Sequence, residues 1–339
     1  MRKCVQPVRP APKHTLRRGG GLCQNRRPNP LSHLPVKLLL VDGYYYAYRS
    51  FHALIGLTNS RGEPAGAVYG FLKALRRMQR DLNPDRAAVV WDMGTPARRT
   101  DLQPEYKAQR AEMPESLQSQ LPILRELIPL LGFSSVFLPD TEADDLMASY
   151  AVAAQDRGWE AILATADKDL YQIVGPKIRI YSTQKTDLQT PKDTHALLEA
   201  ETVQRKWGVA PAQLGDLLSL VGDSADNIAG VQGIGPKGAA NLLNAHGSLN
   251  AVMANLAAIE SVKLREKLAA ARDQIVQNQE MVRLDLDLPL PSSPEELFIK
   301  PQYEPLIAAL EREGFRSLKA EMEKEWLQKV PSAQGDLFG

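Results

Sequence analysis

The chain has 339 residues, of which 44% are hydrophobic, and its formal net charge is +1. This length suffices for one large or two medium domains, and the apolar content excludes global disorder. The apolar runs are far shorter than the roughly 20 residues that cross a bilayer, so a membrane-spanning protein is excluded and a soluble one is expected.

Residues 1–35 are rich in Pro, Gly and Arg and follow no helix or strand period, which predicts a disordered basic extension. It lacks the continuous apolar stretch of a secretory signal. Three interpretations stay open: an organellar transit peptide, a misassigned start codon, or a segment without function. Both cysteines, Cys4 and Cys23, lie here, so the body has no disulfide framework, and we expect a reducing, cytoplasmic compartment.

Apolar runs alternate with helix-length segments over residues 36–199. The predicted strands cover 37–41, 86–91, 135–138, 160–164 and 178–181. The predicted helices cover 66–81, 116–131 and 142–156. Such alternation is typical of βαβ units, so we expect an α/β domain with a central, mainly parallel sheet flanked by helices.

Residues 93–115 are polar and basic, and three prolines, Pro96, Pro104 and Pro114, are expected to interrupt any helix there. This predicts a mobile loop or an arch. Its basic residues are interleaved with one aromatic residue, and the set comprises Arg98, Arg99, Lys107, Arg110 and Tyr106. That pattern suits a single nucleic-acid strand, with phosphates on the charges and a base on the ring; a solvated polar loop is the alternative.

Short helices are predicted from residue 200 to 325, followed by a flexible tail over 326–339. Their predicted ranges are 200–207, 212–220, 236–245, 248–256, 259–282 and 303–325. Between two of them, Gly233-Ile234-Gly235 and Lys237 resemble a loop of the helix-hairpin-helix type. Glycines let the chain approach a phosphate, and the next helix presents free N–H groups, so we expect contacts to a duplex backbone. An ordinary glycine-rich turn is the alternative.

Nine carboxylates carry the strongest chemical signal, because most of them follow apolar runs that predict buried strands. They are Asp42, Asp92, Glu142, Asp144, Asp145, Asp167, Asp169, Asp223 and Asp226. Singly, each is explained by helix capping or a solvated loop. Together they are expected at the carboxyl edge of the sheet, where ligands bind in open α/β folds, and their repulsion predicts cations between them.

Two Mg²⁺ ions about 3.5–4 Å apart would orient the attacking water, neutralise the phosphate and stabilise the leaving oxygen of a phosphodiester. Mg²⁺ keeps several waters, so some of the nine acids are expected to act through water. No constellation of His, Cys or Ser residues competes with this interpretation, since the five histidines are scattered without ligand spacing.

At these residues the sequence resembles the 5′→3′ exonuclease, or flap endonuclease, family found at the N-terminus of bacterial DNA polymerase I. The resemblance runs from about residue 37 to 325. The motifs that carry it are Leu-Val-Asp-Gly43, Ala47-Tyr-Arg49, Thr58-Asn-Ser-Arg-Gly-Glu-Pro64, Ala67-Val-Tyr-Gly-Phe71, Tyr106-Lys-Ala-Gln-Arg110, Glu142-Ala-Asp-Asp145, Thr165-Ala-Asp-Lys-Asp-Leu-Tyr-Gln172, Gly222-Asp-Ser-Ala-Asp-Asn227 and Gly230-Val-Gln-Gly-Ile-Gly235.

The resemblance implies a PIN-like nuclease fold and a monomeric, nucleoid-associated enzyme that cuts 5′ flaps, nicks and 5′ ends of DNA in primer removal and repair. It implies two Mg²⁺, replaceable by Mn²⁺, on the nine acids, and a monovalent cation at the glycine-rich loop. Residues matching Arg49, Arg99, Lys107 and Arg110 would contact the scissile phosphate or the strand in the arch. A nuclease acting on RNA primers and a non-catalytic protein that binds branched DNA are the alternatives.

Three departures from the family pattern bear on these expectations. Tyr44-Tyr45-Tyr46 stands where relatives often carry His or Ser, and Arg98 stands where an aromatic is found. No polymerase module follows residue 325, so a stand-alone nuclease or a truncated product is expected. The last residues resemble the peptide that binds the sliding clamp, with Gln334, Leu337 and Phe338 as its anchors.

Overall fold

The apolar runs form one six-stranded sheet in the computed structural model, which describes residues 35–190 and 192–329. The strands are β1 (Lys37–Asp42), β2 (Arg86–Val90), β3 (Ser134–Val136), β4 (Glu160–Ala164), β5 (Ile178–Ser182) and β6 (Ala196–Leu198). The first five are parallel, and β6 runs antiparallel to β5. The predicted α/β class with a mainly parallel sheet is confirmed.

The strand order is β3-β2-β1-β4-β5-β6, so β1 lies between β2 and β4 at the centre of the sheet. The order of the parallel strands reverses between β1 and β4, and connections leave these two strands in opposite directions. In open α/β sheets a crevice opens at the carboxyl ends of such a pair. Asp42 ends β1, and Ala164 ends β4 beside it, so the chain after each strand borders the crevice.

Helices cover both faces of the sheet. In the first half of the chain they are α1 (Gly43–Ala53), α2 (Gly66–Leu82), α3 (Ala97–Leu102), α4 (Glu115–Gln118), α5 (Leu121–Leu130) and α6 (Ala143–Asp156). The later helices are α7 (Ala200–Trp207), α8 (Leu214–Val221), α9 (Pro236–His246), α10 (Leu249–Ala254), α11 (Val262–Ala270), α12 (Arg272–Val282), α13 (Tyr303–Arg312) and α14 (Arg316–Lys329). None of the helices in the described part of the chain is long and apolar enough to cross a membrane.

The alternation of side chains along β1 divides the core into two layers. Leu39 and Val41 pack with α1, α2, α5 and the returning helix α13. Leu38 and Leu40 point the other way and pack with α6 and with the helices that follow α7. The helical part of the chain therefore shares its apolar core with the sheet, which fixes its position next to the strand ends.

Several element boundaries differ from the sequence prediction. The helix predicted over 116–131 is two helices, because buried Gln120 turns its side chain to accept hydrogen bonds from the N–H groups of Ala67 and Val68 at the start of α2. The predicted final helix is also two, because Gly314 adopts φ +73° and ends α13. The helix predicted over 259–282 is divided at Ala271.

Three features were not predicted. Helix α3 forms within the proline-rich stretch, and β6 extends the sheet. Helix α1 begins directly after β1, although its first residues, glycine and three tyrosines, have modest helix propensity. The Asp42 side chain caps it by accepting a hydrogen bond from the Tyr45 N–H at 2.9 Å.

Candidate active site

Asp42 and Asp167 lie on either side of the crevice between β1 and β4. The second oxygen of Asp42 accepts a hydrogen bond from the Thr165 hydroxyl at 3.0 Å, which ties the end of β1 to the chain after β4. The same hydroxyl accepts a bond from the Asp167 N–H, and an Asp167 oxygen accepts one from the Asp169 N–H at 2.8 Å. Local hydrogen bonds therefore hold three of the nine predicted acids at one place.

The start of α6 brings a second group of acids to the same edge. Glu142, Asp144 and Asp145 each offer an oxygen within 4.8 Å of the others. Asp92 follows β2 and accepts a hydrogen bond from the Ala143 N–H at 3.1 Å, so it caps this helix from a neighbouring strand. The unsatisfied N–H groups at a helix start favour negative charge, which explains why acids collect here.

A short antiparallel ribbon, β7 (Gly222–Asp223) and β8 (Ile228–Ala229), carries the last two acids, Asp223 and Asp226. The ribbon needs glycine at two positions. Gly222 has φ +80°, and a Cβ there would lie 2.4 Å from the Gly230 nitrogen. A Cβ on Gly230 would lie 2.0 Å from the Val221 oxygen. The glycines therefore permit the close turn that presents both aspartates to the other acids.

All nine predicted acids thus lie in one neighbourhood, and their charges affect one another. The pKa of Asp42 is raised to about 7, mainly by burial and also by the charges of Asp92 and Asp167, although the hydrogen bond from the Tyr45 N–H acts to lower it. Burial likewise raises the pKa of Asp167 to about 7, helped by the charges of Asp144 and Asp226. Burial also holds the pKa of Asp169 well above its usual range.

Basic side chains pair with the acids of α6 and of the ribbon. Apart from the Arg99 pairs described next, the ion pairs are Lys107–Glu142 at 2.6 Å, Arg110–Asp226 at 2.8 Å and Lys168–Asp223 at 2.6 Å. Within residues 35–190 and 192–329, Asp42, Asp92, Asp167 and Asp169 have no such basic partner. Asp42, Asp92 and Asp167 accept hydrogen bonds from N–H and hydroxyl donors instead. The nine acids therefore form a neutralised group and an uncompensated group.

Arg99 does not occupy the position predicted from the sequence. Its side chain is 1% exposed and ion-pairs with Glu142 and, at 2.8 Å, with Asp145. Its Nε donates to the carbonyl of Met281. A phosphate cannot reach a guanidinium that is buried beneath the acids, so the predicted contact of Arg99 with the substrate is wrong for this conformation. Arg99 instead forms ion pairs with two buried carboxylates.

Tyr106 also differs from its predicted role. The ring is 8% exposed, and its hydroxyl lies 3.1 Å from Glu142 and 3.3 Å from Asp226. A ring in this position cannot stack on a base. The hydroxyl bridges acids from α6 and from the ribbon, and buried carboxylates need such donors. The neighbouring predictions fit better, since Lys107 and Arg110 both line the open groove.

Other predicted residues lie away from this groove. Arg49 points from α1 into a separate pocket. Gly233, Gly235 and Lys237 are exposed at the start of α9, as a phosphate contact would require, but Ile234 is buried in the core and does not present its side chain. The clamp-motif residues Gln334, Leu337 and Phe338 lie outside the described residues, as does the extension over 1–34.

Three tyrosines that sequence reasoning left without a role line the groove. Tyr44, Tyr45 and Tyr48 project from the first turns of α1 and face the acids across a cavity of about 390 Å³. The spacing i, i+1 and i+4 on a helix that starts after Asp42 was the available signal, and it was missed because α1 was not predicted. Their rings give the acidic groove one aromatic wall.

The arrangement of the acids is suited to binding divalent cations. Mg²⁺ and similar hard ions prefer carboxylate oxygens, and the groove offers Asp42, Asp92, Asp144 and Asp167. One Asp169 oxygen beside them is buried and has no hydrogen-bond partner. Buried polar atoms are normally paired, so an unpartnered carboxylate oxygen beside uncompensated acids is suited to a cation or its bound water.

Two family models match consecutive parts of the chain. The model for the N-terminal, resolvase-like domain of 5′-3′ exonucleases covers residues 37–208. The model for the C-terminal SAM fold of 5′-3′ exonucleases covers residues 209–305. Together they include all nine acids and the glycine-rich loop.

Curated relatives agree with these models. The chain is 33% identical to a 5′-3′ exonuclease of Aquifex aeolicus over 302 residues, which are 89% of this chain and 99% of that protein. It is 40% identical over 292 residues to the thermostable DNA polymerase I of Thermus aquaticus, which covers 85% of this chain. The chain spans about a third of the length of that polymerase, since the match takes in 33% of it.

Solved structures share the fold at low sequence identity. The 5′-exonuclease of bacteriophage T5 with bound zinc aligns at a TM-score of 0.60 and 21% identity, covering 86% of this chain and 98% of that one. The catalytic core of Rad2 in complex with DNA substrate aligns at 0.56 and 17%, covering 82% and 88%. These likenesses establish the nuclease-like arrangement of sheet and helices.

The raised pKa values predict an unusual pH dependence of stability. An acid whose pKa is about 7 in the folded chain and about 4 in the unfolded chain holds its proton on folding, so stability falls as the pH rises from about 4 to about 7. Asp42→Asn should remove part of this loss. In EDTA at pH 8, urea denaturation should show the variant more stable than wild type by on the order of 1 kcal/mol or more.

Asp156→Asn, at the exposed far end of α6, is the matched control and should leave the pH profile unchanged. A wild-type stability that is flat between pH 5 and pH 8, or a profile that Asp42→Asn does not alter, would contradict the raised pKa of Asp42.

Removal of the Arg99 charge should destabilise the fold, because Asp145 would remain buried without a counter-charge and Glu142 would keep only Lys107. We expect Arg99→Met to lower the free energy of unfolding at pH 8 by about 3–5 kcal/mol, as breaking buried ion pairs does. Arg283→Met, whose side chain is 54% exposed, should change it by less than about 1 kcal/mol. Equal effects of the two substitutions in denaturant titrations would refute the buried role of Arg99.

Proposed function

The chain belongs to the 5′-3′ exonuclease family, and from this membership and the geometry of its groove we propose that it is a structure-specific 5′ nuclease. It hydrolyses phosphodiester bonds at 5′ flaps, nicks and 5′ ends of DNA and depends on Mg²⁺, which Mn²⁺ replaces. Its place in the cell is the removal of replication primers and DNA repair. The Aquifex relative, which this chain matches over 99% of its length, supports the exonuclease activity.

One observation carries the proposal. Nine carboxylates reach a single edge of the sheet from five separate segments, and four of the acids in the groove lie beside two basic side chains and three tyrosines. A structural role does not account for this set, because uncompensated acids in a shared crevice destabilise the fold. Hydrolysis of a phosphodiester by bound metal ions requires such acids, because they hold the cations that bind the phosphate.

Asp42, Asp92, Asp144 and Asp167 would hold the divalent cations, because they line the groove. Asp169 is close to them, and the remaining acids would act through bound water or by orienting the basic residues. Two such cations supply charge neutralisation of the phosphate and activation of water. The carboxylates fix where that chemistry occurs, at the carboxyl ends of β1, β2 and β4.

Lys107 and Arg110 would bind the scissile phosphate. Both line the groove, Arg110 has a half-exposed side chain, and each is held by an acid that leaves other N–H donors free. Tyr44, Tyr45 and Tyr48 form an aromatic wall on the opposite side, and aromatic rings bind unstacked bases without sequence preference. The groove therefore suits one strand, with phosphates on the cations and bases on the rings.

The segment that carries Lys107 and Arg110 is joined to the ribbon by hydrogen bonds. Gln103 donates to the Asn227 carbonyl at 2.6 Å, and Asn227 donates to the Glu105 carbonyl at 3.0 Å. We infer that this segment, within residues 93–115, is the arch over the 5′ strand. In this conformation, the segment keeps Lys107 and Arg110 beside the acids. Substrate binding would compete with these contacts.

The helical region would bind the duplex next to the cleavage point. The loop at Gly233 and Gly235 is exposed and leads into α9, and Lys237 lies in its first turn. Free N–H groups and a lysine at a helix start suit a phosphate of either strand. Such contacts carry no base preference, which fits an enzyme that recognises the shape of a junction.

Asp144→Asn tests the catalytic proposal. It removes one groove carboxylate and should lower single-turnover cleavage of a fluorescent 5′-flap DNA in Mg²⁺ by at least about 100-fold, while duplex binding in Ca²⁺ stays nearly intact. Asp156→Asn, from the opposite end of α6, should cut at the wild-type rate. Cleavage by wild type in excess EDTA, or wild-type turnover by Asp144→Asn, would contradict the proposal.

A further inference from the structure

A second pocket, distinct from the acidic groove, lies on the other side of α1. It is a cavity of about 220 Å³ between α1, α2 and the end of β5. Tyr46, Arg49 and Ser50 enter it from α1, whereas Tyr44, Tyr45 and Tyr48 face the groove. The two sites therefore share a helix about 10 Å thick, and a strand that leaves one can reach the other.

The floor of this pocket has two buried hydroxyl groups that have no partner in the described residues apart from each other. Tyr46 is 1% exposed, and its hydroxyl lies beside the hydroxyl of Thr183. Buried polar atoms in native structures are paired with protein, water or a ligand. Burial keeps the pKa of Tyr46 well above its usual value, so the phenol is neutral and available as a hydrogen-bond donor.

The rim of the pocket is basic. Arg49 and Arg77 are exposed, and neither forms an ion pair with an acid in the described part of the chain. Lys73 lies with them but pairs with Glu321 at 2.9 Å. Two guanidinium groups above this hydroxyl pair form a set of donors without an acidic partner in the described residues.

Tyr181 also lines this pocket, and the shift of its pKa reflects the charged groups around it. Burial raises its pKa to about 12, the charge of Asp81 adds to this, and the charges of Arg77 and Arg49 act in the opposite sense. Asp81 pairs with Arg80 at 3.0 Å and does not line the pocket. The charge that faces the cavity is therefore positive.

We propose that this pocket binds a phosphate monoester, namely the 5′-terminal phosphate of a DNA strand or of a nucleotide released from it. A monoester carries up to two negative charges, which match the two guanidinium groups, and its oxygens accept a hydrogen bond from the one O–H that the Tyr46–Thr183 pair leaves free. The volume is about seven times that of a liquid water molecule, enough for a phosphate and its sugar but not for a duplex. The choice of a DNA end rests on the proposed function.

The test compares labelled single-stranded DNA with a 5′-phosphate and with a 5′-hydroxyl, by fluorescence anisotropy in EDTA. Wild type should bind the phosphorylated strand about 10-fold more tightly, as charge-assisted hydrogen bonds predict. Arg77→Gln should reduce this preference to less than about 2-fold. Arg80→Gln, on the same helix and with the same loss of charge, should keep it, because Arg80 does not line the pocket.

A second arm identifies the source of the phosphate. Thymidine 5′-monophosphate is titrated calorimetrically into wild type and into Thr183→Val. Arg77-dependent preference for the phosphorylated strand supports the strand end as the ligand, and heat that Thr183→Val abolishes supports the free nucleotide. If neither the terminal phosphate nor the nucleotide binds in a manner that depends on Arg77 or Thr183, the pocket is not a phosphate site.

These outcomes are independent of catalysis. Binding is measured without divalent ions, whereas the nuclease proposal is tested by cleavage of a flap with a 5′-hydroxyl end. A wild-type protein that fails to cut that flap would refute the nuclease proposal and leave the binding result unchanged. A wild type that cuts it without any preference for a 5′-phosphate would refute only the pocket.

Discussion

Repulsion between carboxylates at one edge of the sheet determines how the surrounding basic and polar side chains are arranged. Five of the nine acids form ion pairs with four basic side chains, and Arg99 is the most buried of these side chains. Asp42, Asp92 and Asp167 accept hydrogen bonds from N–H and hydroxyl donors that do not cancel their charge, and Asp169 likewise has no basic partner in the described part of the chain. The acids without a basic partner lie around the open groove. The negative charge of the site is therefore concentrated where a substrate would enter.

Helix α1 connects this constraint to substrate binding. Its start is capped by Asp42, so the helix and the acid are positioned by the same hydrogen bond. One side of the helix gives the groove its tyrosines, and the other side gives Tyr46 and Arg49 to the basic pocket. An acidic site that needs cations and a basic site that needs an anion thus lie back to back, an arrangement suited to a polyanionic strand that contacts both.

Much of the fold and the identity of the acids could be predicted from the sequence. Apolar runs such as Leu38–Val41 predict buried strands, and acids follow several of these runs directly. Because the carboxyl ends of parallel strands lie at the same edge of a sheet, the convergence of these acids follows from the topology. The positions of the residues around the acids could not be predicted in the same way. Arg99 and Tyr106 lie in a polar segment with no period, and their burial depends on tertiary pairing with Glu142, which local sequence does not encode. Helix α1 was missed because a capping hydrogen bond outweighs the weak propensity of its residues.

Binding of divalent cations by the acids without a basic partner can be measured by counting the bound ions. Metal-free protein is titrated with Mn²⁺, and the free ion is followed by its electron paramagnetic resonance signal at pH 8. We expect two bound ions per chain for wild type and weaker binding when Asp42 and Asp167 are both changed to Asn. A folded wild-type chain that leaves all added Mn²⁺ free, or a double variant that binds as wild type does, would contradict it.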